Sequence, residues 1–97
     1  MEIGIVGLGR MGSNIVKRLT KNNYRIIAYD IDPEALKSAS SNGAIPVNSL
    51  SDLVIELSAP RVIWIMLPSG NPTEDAITSL TSLLKNGDTM YFLQKKT

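Results

Sequence analysis

The chain reads as a doubly wound α/β domain, a parallel sheet with helices on both faces. Three observations predict it. Apolar runs of strand length alternate with amphipathic helical stretches along the whole sequence; start and stop residues punctuate each alternation; and a glycine-rich loop joins the first strand to the first helix. Ninety-seven residues suit one domain, 1–97, able to bury roughly 60–70% of the surface its unfolded chain exposes.

Strand one is Glu2 to Val6, and an amphipathic helix from Met11 to Asn22 presents Ile15, Val16 and Leu19 on one face before the Lys21-Asn22-Asn23 turn. Arg25 to Tyr29 is strand two. Asp32 then caps a helix with Pro33 at its first position, where the missing N–H costs nothing, and Glu34 in its first turn; Asn42-Gly43 stops it. Ala44 to Val47 is a short third strand. Ser49 and Asp52 have capping-box spacing and open a helix whose Leu50, Leu53, Val54 and Leu57 share a face, closed by Pro60. Val62 to Leu67 is a continuous apolar run, the pattern of an interior parallel strand covered on both faces. Pro68-Ser69-Gly70 breaks it, Asn71 caps, Pro72 starts a helix with Glu74 third, and Ile77, Leu80, Leu83 and Leu84 form its stripe up to Asn86-Gly87. Thr89 to Leu93 is the last strand.

Composition narrows the function classes. A 43% hydrophobic and 20% charged chain is globular rather than disordered. Net charge is +1 and the basic residues are scattered apart from Lys95-Lys96, so nucleic-acid binding has no support. No apolar run approaches the roughly 20 residues of a membrane span, and the absence of a signal-peptide pattern after Met1 makes the cytoplasm the default expectation. The sequence holds neither cysteine nor histidine. Disulfides, thiolate chemistry, the commonest metal ligand and the commonest neutral-pH proton shuttle are therefore out, and catalysis would rest on Lys, Asp, Glu or cofactor chemistry.

The loop itself is Gly7-Leu8-Gly9-Arg10-Met11-Gly12. Three glycines at this spacing are a weak signal alone; in the register of strand, loop, helix, strand and acid they form a Rossmann-like dinucleotide-binding unit, with an expected sheet order of 3-2-1-4-5 in a three-layer αβα stack. Gly7 permits the turn out of the strand, Gly9 lets a pyrophosphate approach the backbone, and Gly12 allows close helix packing. The unpartnered first amides of the helix hold phosphate charge, with a screened contribution from Arg10. Asp30 stands 18 residues past Gly12, near the offset of about 20 at which an acid meets the adenosine ribose. An ionised carboxylate only accepts hydrogen bonds, so it suits two ribose hydroxyls and repels a 2′-phosphate, and Ile31 supplies no guanidinium; NAD is expected over NADP. The competing readings are a glycine turn that binds nothing, and an Asp30 that merely ends its strand. Tyr29 stands where it could flank the adenine. Trp64 reads as core, and Arg61 and Lys37 as solvated charges.

Three stretches carry a family resemblance: the glycine loop followed by Asn14; Tyr29-Asp30 followed by Pro33-Glu34-Ala35; and Pro60-Arg61-Val62-Ile63-Trp64-Ile65-Met66-Leu67-Pro68-Ser69-Gly70. From Met1 to about Asp88 the chain resembles the amino-terminal domain of decarboxylating 6-phosphogluconate dehydrogenases, within the β-hydroxyacid dehydrogenase superfamily. The resemblance implies that Leu8, Arg10 and Met11 lie on the pyrophosphate and nicotinamide side, and that Met66, Leu67 and Pro68 face the nicotinamide ribose. Members using NADP carry Asn-Arg-Thr where this chain has Asp30-Ile31-Asp32, a departure that again implies NAD. The tail from 91 to 97 diverges: the family continues into Asp-Gly-Gly-Asn-Ser and an all-helical substrate domain, which supplies the catalytic lysine and acid, and Lys95 does not replace them.

Read as an enzyme, the chain belongs to oxidation of 6-phosphogluconate and its decarboxylation to ribulose 5-phosphate, with the substrate bound only if a substrate domain is supplied; no residue here is assigned a catalytic role. Read as a module, it binds nucleotide alone. A 3-hydroxyisobutyrate dehydrogenase-like fragment is the rival family. An apolar Met90 to Leu93 sheet edge also predicts self-association.

Overall fold

The computed structural model describes residues 1–67 and 71–92, with only the backbone described for 10, 11 and 71–73. Five parallel strands and four helices alternate: β1 (Glu2–Val6), α1 (Arg10–Lys21), β2 (Arg25–Tyr29), α2 (Pro33–Ser41), β3 (Ile45–Pro46), α3 (Leu50–Glu56), β4 (Val62–Ile65), α4 (Asn71–Leu83) and β5 (Thr89–Phe92). They form one sheet in the order β3-β2-β1-β4-β5, as the sequence predicts. In register, Glu2 stands beside Arg25 and Val6 beside Tyr29 across β1 and β2, while Val6 meets Ile65 on the other side. Strand order reverses between β1 and β4, which places a crevice at the carboxyl ends of these two strands.

Alternation along β1 splits the core into two layers. Ile3 and Ile5 join Val16, Ile26, Ala28 and Ala39 beneath α1 and α2. Val6 joins Ile27, Leu53, Val54, Ile63, Ile65 and Leu80 beneath α3 and α4. Gly4 faces the second layer by the same alternation, where an added Cβ would stand 2.8 Å from Leu57 Cδ1 and displace that side chain.

Local chemistry sets the element ends. The Asp32 carboxylate accepts from the Glu34 amide at 3.0 Å and the Ser49 hydroxyl from the Asp52 amide at 3.0 Å, so the caps of α2 and α3 stand where the sequence puts them. Helix α1 starts at Arg10, one residue before its expected start, and its end is closed by amides of Asn22 and Asn23 bonding back to Leu19 and Thr20, with Asn23 left-handed at φ 66°. Strand β3 is two residues rather than four. The Ala44 amide is taken by Ala39 O at 3.0 Å in closing α2, and Pro46 has no N–H to give a ladder. Helix α4 begins at Asn71 itself; the expected breaker Pro68-Ser69-Gly70 and strand residue Leu93 lie outside the described residues.

Strand β4 corrects one expectation. It ends at Ile65, opposite Phe92 on β5, and only one of its faces is closed: Ile63 and Ile65 are buried, whereas Val62 and Trp64 are half-buried. Right-handed crossovers explain this. Steps from β1 to β2 to β3 put α1 and α2 on one face, steps in the opposite direction put α3 and α4 on the other, and the α1 side of β4 and β5 is left thinly covered. A second correction is Arg61, which is no solvated charge. Its side chain is 16% exposed; Nε donates to Val54 O at 2.8 Å and to Leu57 O at 3.2 Å, satisfying carbonyls at the end of α3, and Nη1 donates to Asp88 Oδ2 at 3.2 Å. Lys37 is exposed, as expected.

Candidate dinucleotide site

Two of the three loop glycines are demanded by the protein itself. Gly7 has φ 97°, and a Cβ on Gly12 would lie 2.6 Å from Gly7 O, inside any real contact. Gly9 is different. Among the described residues, chain neighbours aside, a Cβ there would meet no atom within 4 Å, so neither their packing nor the backbone angle explains a glycine at the mouth of the helix. The open volume above Gly9 is what close approach of a ligand's phosphates requires.

The start of α1 also differs from that of the other helices. Helices α2, α3 and α4 carry Glu34, Asp52 and Glu74 in their first turns, and α2 and α3 have side-chain caps; α1 has no acid in its first turn and Gly9 supplies no side-chain cap. Its last turn carries Arg18 and Lys21, which suit the negative end of the dipole. The first turn of α1 therefore has no side chain of its own to cap its amides or offset its dipole, which leaves those amides to a solvent or ligand acceptor.

Asp30 stands beside this loop. Its Oδ2 accepts the Leu8 amide at 2.7 Å and its Oδ1 accepts the Asp32 amide at 2.9 Å. Each carboxylate oxygen retains an acceptor position beyond its backbone partner. Ile31 is 84% exposed next to it, so no cation from that position faces the carboxylate. The sequence spacing thus brings Asp30 and the glycine loop together, 22 residues apart along the chain.

Other predicted residues take different places. Leu8 is 3% exposed with its side chain in the α1 core layer, which leaves only its backbone at the loop surface. Met66 is 9% exposed in the same layer; its amide extends the sheet by donating to Val6 O at 2.8 Å, and its backbone crowds Gly7. Arg10 and Met11 open α1, where the description stops at the backbone, and Pro68 lies outside the described residues. Leu67 lines a cavity of about 340 Å³ with Val6, Gly7, Tyr29, Asp30 and Ile31.

Sequence reasoning did not place four further lining residues at the site: Leu50 of α3, read only as part of an apolar face, and Asp75, Ala76 and Ser79 of α4. Their signal lies in α4, where the small Ala76 and Ser79 are spaced one helical turn apart beside the Ile77 and Leu80 stripe. The cavity sits at the low end of the roughly 300–1,000 Å³ typical of ligand pockets, enough for one nucleoside rather than a whole dinucleotide. Among the described residues no cluster of acids could hold a metal, and no helix is long and apolar enough to cross a membrane.

Comparison with known proteins gives the family and the fold. The family model for the NAD binding domain of 6-phosphogluconate dehydrogenase matches residues 2–92. The NAD(+)-dependent, decarboxylating 6-phosphogluconate dehydrogenase of Haloferax volcanii is 35% identical over 88 residues, covering 91% of this chain and 29% of that protein. The Bacillus subtilis enzyme of the same description is 33% identical over 91 residues, 90% of this chain and 19% of that one. The chain thus spans under a third of the length of these relatives. In fold it is similar to Mycobacterium tuberculosis 3-hydroxyisobutyrate dehydrogenase, with TM-score 0.86 at 22% identity over 96% of this chain and 31% of that one. It is equally similar to Plasmodium falciparum 6-phosphogluconate dehydrogenase, with TM-score 0.85 at 19% identity over 100% and 22%. From the matched residues and the glycine loop they contain, the chain belongs to the family of NAD-binding domains of 6-phosphogluconate dehydrogenases.

Proposed function

We propose that this chain binds NAD as the cofactor half of a dehydrogenase acting on 6-phosphogluconate. The observation that carries the reading is the bare amino end of α1: the one described helix with neither an acid in its first turn nor a side-chain cap is the one that follows the glycine loop. The pyrophosphate would lie on the backbone of Gly7, Leu8, Gly9, Arg10, Met11 and Gly12, and the adenosine ribose on Asp30. The adenine would enter the cavity beside Tyr29 and Ile31, with Asp75 and Ser79 as polar partners. Met66, Leu67 and Pro68 would border the nicotinamide side.

Asp30 with Ile31 supports NAD over NADP, because a carboxylate repels a 2′-phosphate and no guanidinium offsets it. Both relatives described above as NAD(+)-dependent are in keeping with that choice. When bound, the nicotinamide supplies the hydride acceptor; this chain's residues bind and orient it. The described residues offer no histidine and no base aimed at the crevice beyond Asp30 and Asp75, so turnover of 6-phosphogluconate requires a substrate-binding part.

Calorimetric titration of the chain with NAD and with NADP tests the cofactor reading. NAD is expected to bind at least about tenfold tighter, the scale of a lost charge-assisted contact or an added repulsion. An NADP preference overturns the role given to Asp30. Steady NAD reduction by this chain with 6-phosphogluconate overturns the claim that it does not turn over alone.

A further inference from the structure

We propose that Asp30 and Ser13 are positioning residues that set the glycine loop in its receiving shape before any ligand arrives. The proposal deepens the cofactor reading and rests on it for the identity of the ligand, though not for the behaviour of the loop.

Leu8 is held from three directions. Its amide donates to Asp30 Oδ2 at 2.7 Å, its carbonyl accepts from the Ser13 hydroxyl at 3.1 Å, and its side chain is buried in the layer beneath α1. Either neighbour of this clamp is itself fixed. Asp30 is tied through Oδ1 to the Asp32 amide at 2.9 Å, where α2 begins, and Ser13 sits in the first turns of α1 with its own amide on Gly9 O at 2.9 Å. Just before Leu8, the Gly7 amide donates to Tyr29 O at 2.9 Å. The loop is thus spanned from β2 on one side and from α1 on the other, by side chains that close on the two peptide groups flanking Leu8.

One carboxylate therefore serves two purposes. It holds the loop through backbone amides and keeps an acceptor position on each oxygen for sugar hydroxyls. Loop shape and sugar recognition are coupled through Asp30, and binding to a preset loop avoids the cost of ordering it. The consequence separates this proposal from simple electrostatics. A diphosphate without a sugar never touches the carboxylate and is repelled by it, so loss of the Asp30 charge alone would tighten its binding; loss of the clamp would weaken it.

The test uses the 97-residue chain, Asp30→Ala, Ser13→Ala, Ser13→Thr and, as a control that removes the α2 cap but leaves the clamp, Asp32→Ala. Amide exchange at Leu8 is followed by NMR without ligand, relative to the core amide of Ile27, and affinities for inorganic pyrophosphate and NAD are measured by calorimetry. Leu8 exchange is expected to rise about tenfold in Asp30→Ala and severalfold in Ser13→Ala, to return in Ser13→Thr, and to stay unchanged in Asp32→Ala. Pyrophosphate is expected to bind Asp30→Ala about tenfold more weakly in spite of the lost negative charge. Unchanged Leu8 exchange in Asp30→Ala, or pyrophosphate binding that holds or tightens, overturns the proposal. A wild-type chain that binds neither NAD nor pyrophosphate overturns the cofactor reading instead, and leaves the exchange data to decide the clamp.

Discussion

The flank of the sheet around β1 and β2 and the flank around β4 and β5 are built to different standards of closure. On β1 and β2, Ile3, Ile5, Val6, Ile26, Ile27 and Ala28 are buried on both faces, and the loop at their carboxyl ends is clamped by side chains and backbone alike. On β4 one face is closed and the other is open, and β5 is exposed on both, with Tyr91 52% and Phe92 45% exposed on opposite faces. Met1, Ile3, Val62, Trp64 and Tyr91 surround a shallow apolar hollow on the open side. The difference teaches where this domain concentrates its rigidity: beneath the cradle, not at the sheet's edge.

Truncations on the two flanks should break or confirm that contrast first. Ile27→Ala, in the fully buried β2 layer, is expected to cost about 2–5 kcal/mol by denaturant unfolding. An equal cost for Tyr91→Ser on β5 would erase the contrast. Gly12→Ala sharpens it at the cradle. The added Cβ would meet Gly7 O at 2.6 Å, so α1 must shift away from β1, at about 1–3 kcal/mol and with NAD binding lost on titration.

The amino end of β4 is held by charge, and pH reads it. Asp88 accepts the Arg61 amide at 2.7 Å and the Lys85 amide at 2.9 Å and pairs with the Arg61 guanidinium. Those two amides, Lys85 first, hold its carboxyl below the usual carboxylate range. The folded value lies below the unfolded one of about 3.9, so the stabilisation is complete above that pH and is lost as pH falls through the lower folded value. Asp88→Asn is expected to be less stable at neutral pH and to lose less on acidification, measured by urea midpoints at pH 7 and pH 3. Glu2 behaves in the same direction, lowered first by the Ser58 amide and then by Arg25 beside it.

Tyr91→Lys is the smallest expected effect on stability, within about 0.5 kcal/mol for an exposed side chain. Its readout is association. The other edge strand, β3, is two residues long and contains Pro46, whereas Thr89–Phe92 has no charge or proline, so a concentration-dependent dimer in sedimentation velocity is expected for the wild type and its loss in the variant. A wild type that stays monomeric at all concentrations counts against the edge as a contact.

The caps at Asp32 and Ser49 and the stops at Asn22-Asn23 and Asn42-Gly43 were legible because each rests on contacts within a few residues, and the Ile77 and Leu80 stripe because helical periodicity puts both on one face. The offset from Gly12 to Asp30 was legible because one helix and one strand have nearly fixed lengths. The brevity of β3 was not, since it depends on which acceptor wins the Ala44 amide. Nor was the role of Arg61, whose carbonyl partners arrive from α3 by folding.

Sequence alone determined the alternation of elements, the strand order that right-handed crossovers impose, the family, and the meeting of an acid with a glycine loop, because periodicity, capping and element length are local physics. Only the tertiary structure decided that β4 is closed on one face, that Leu8 and Met66 turn their side chains inward, and that Asp30 grips the loop it was expected merely to neighbour. Those outcomes depend on which groups compete for the same space and the same hydrogen bonds once distant segments pack, and nothing in a linear pattern ranks the competitors.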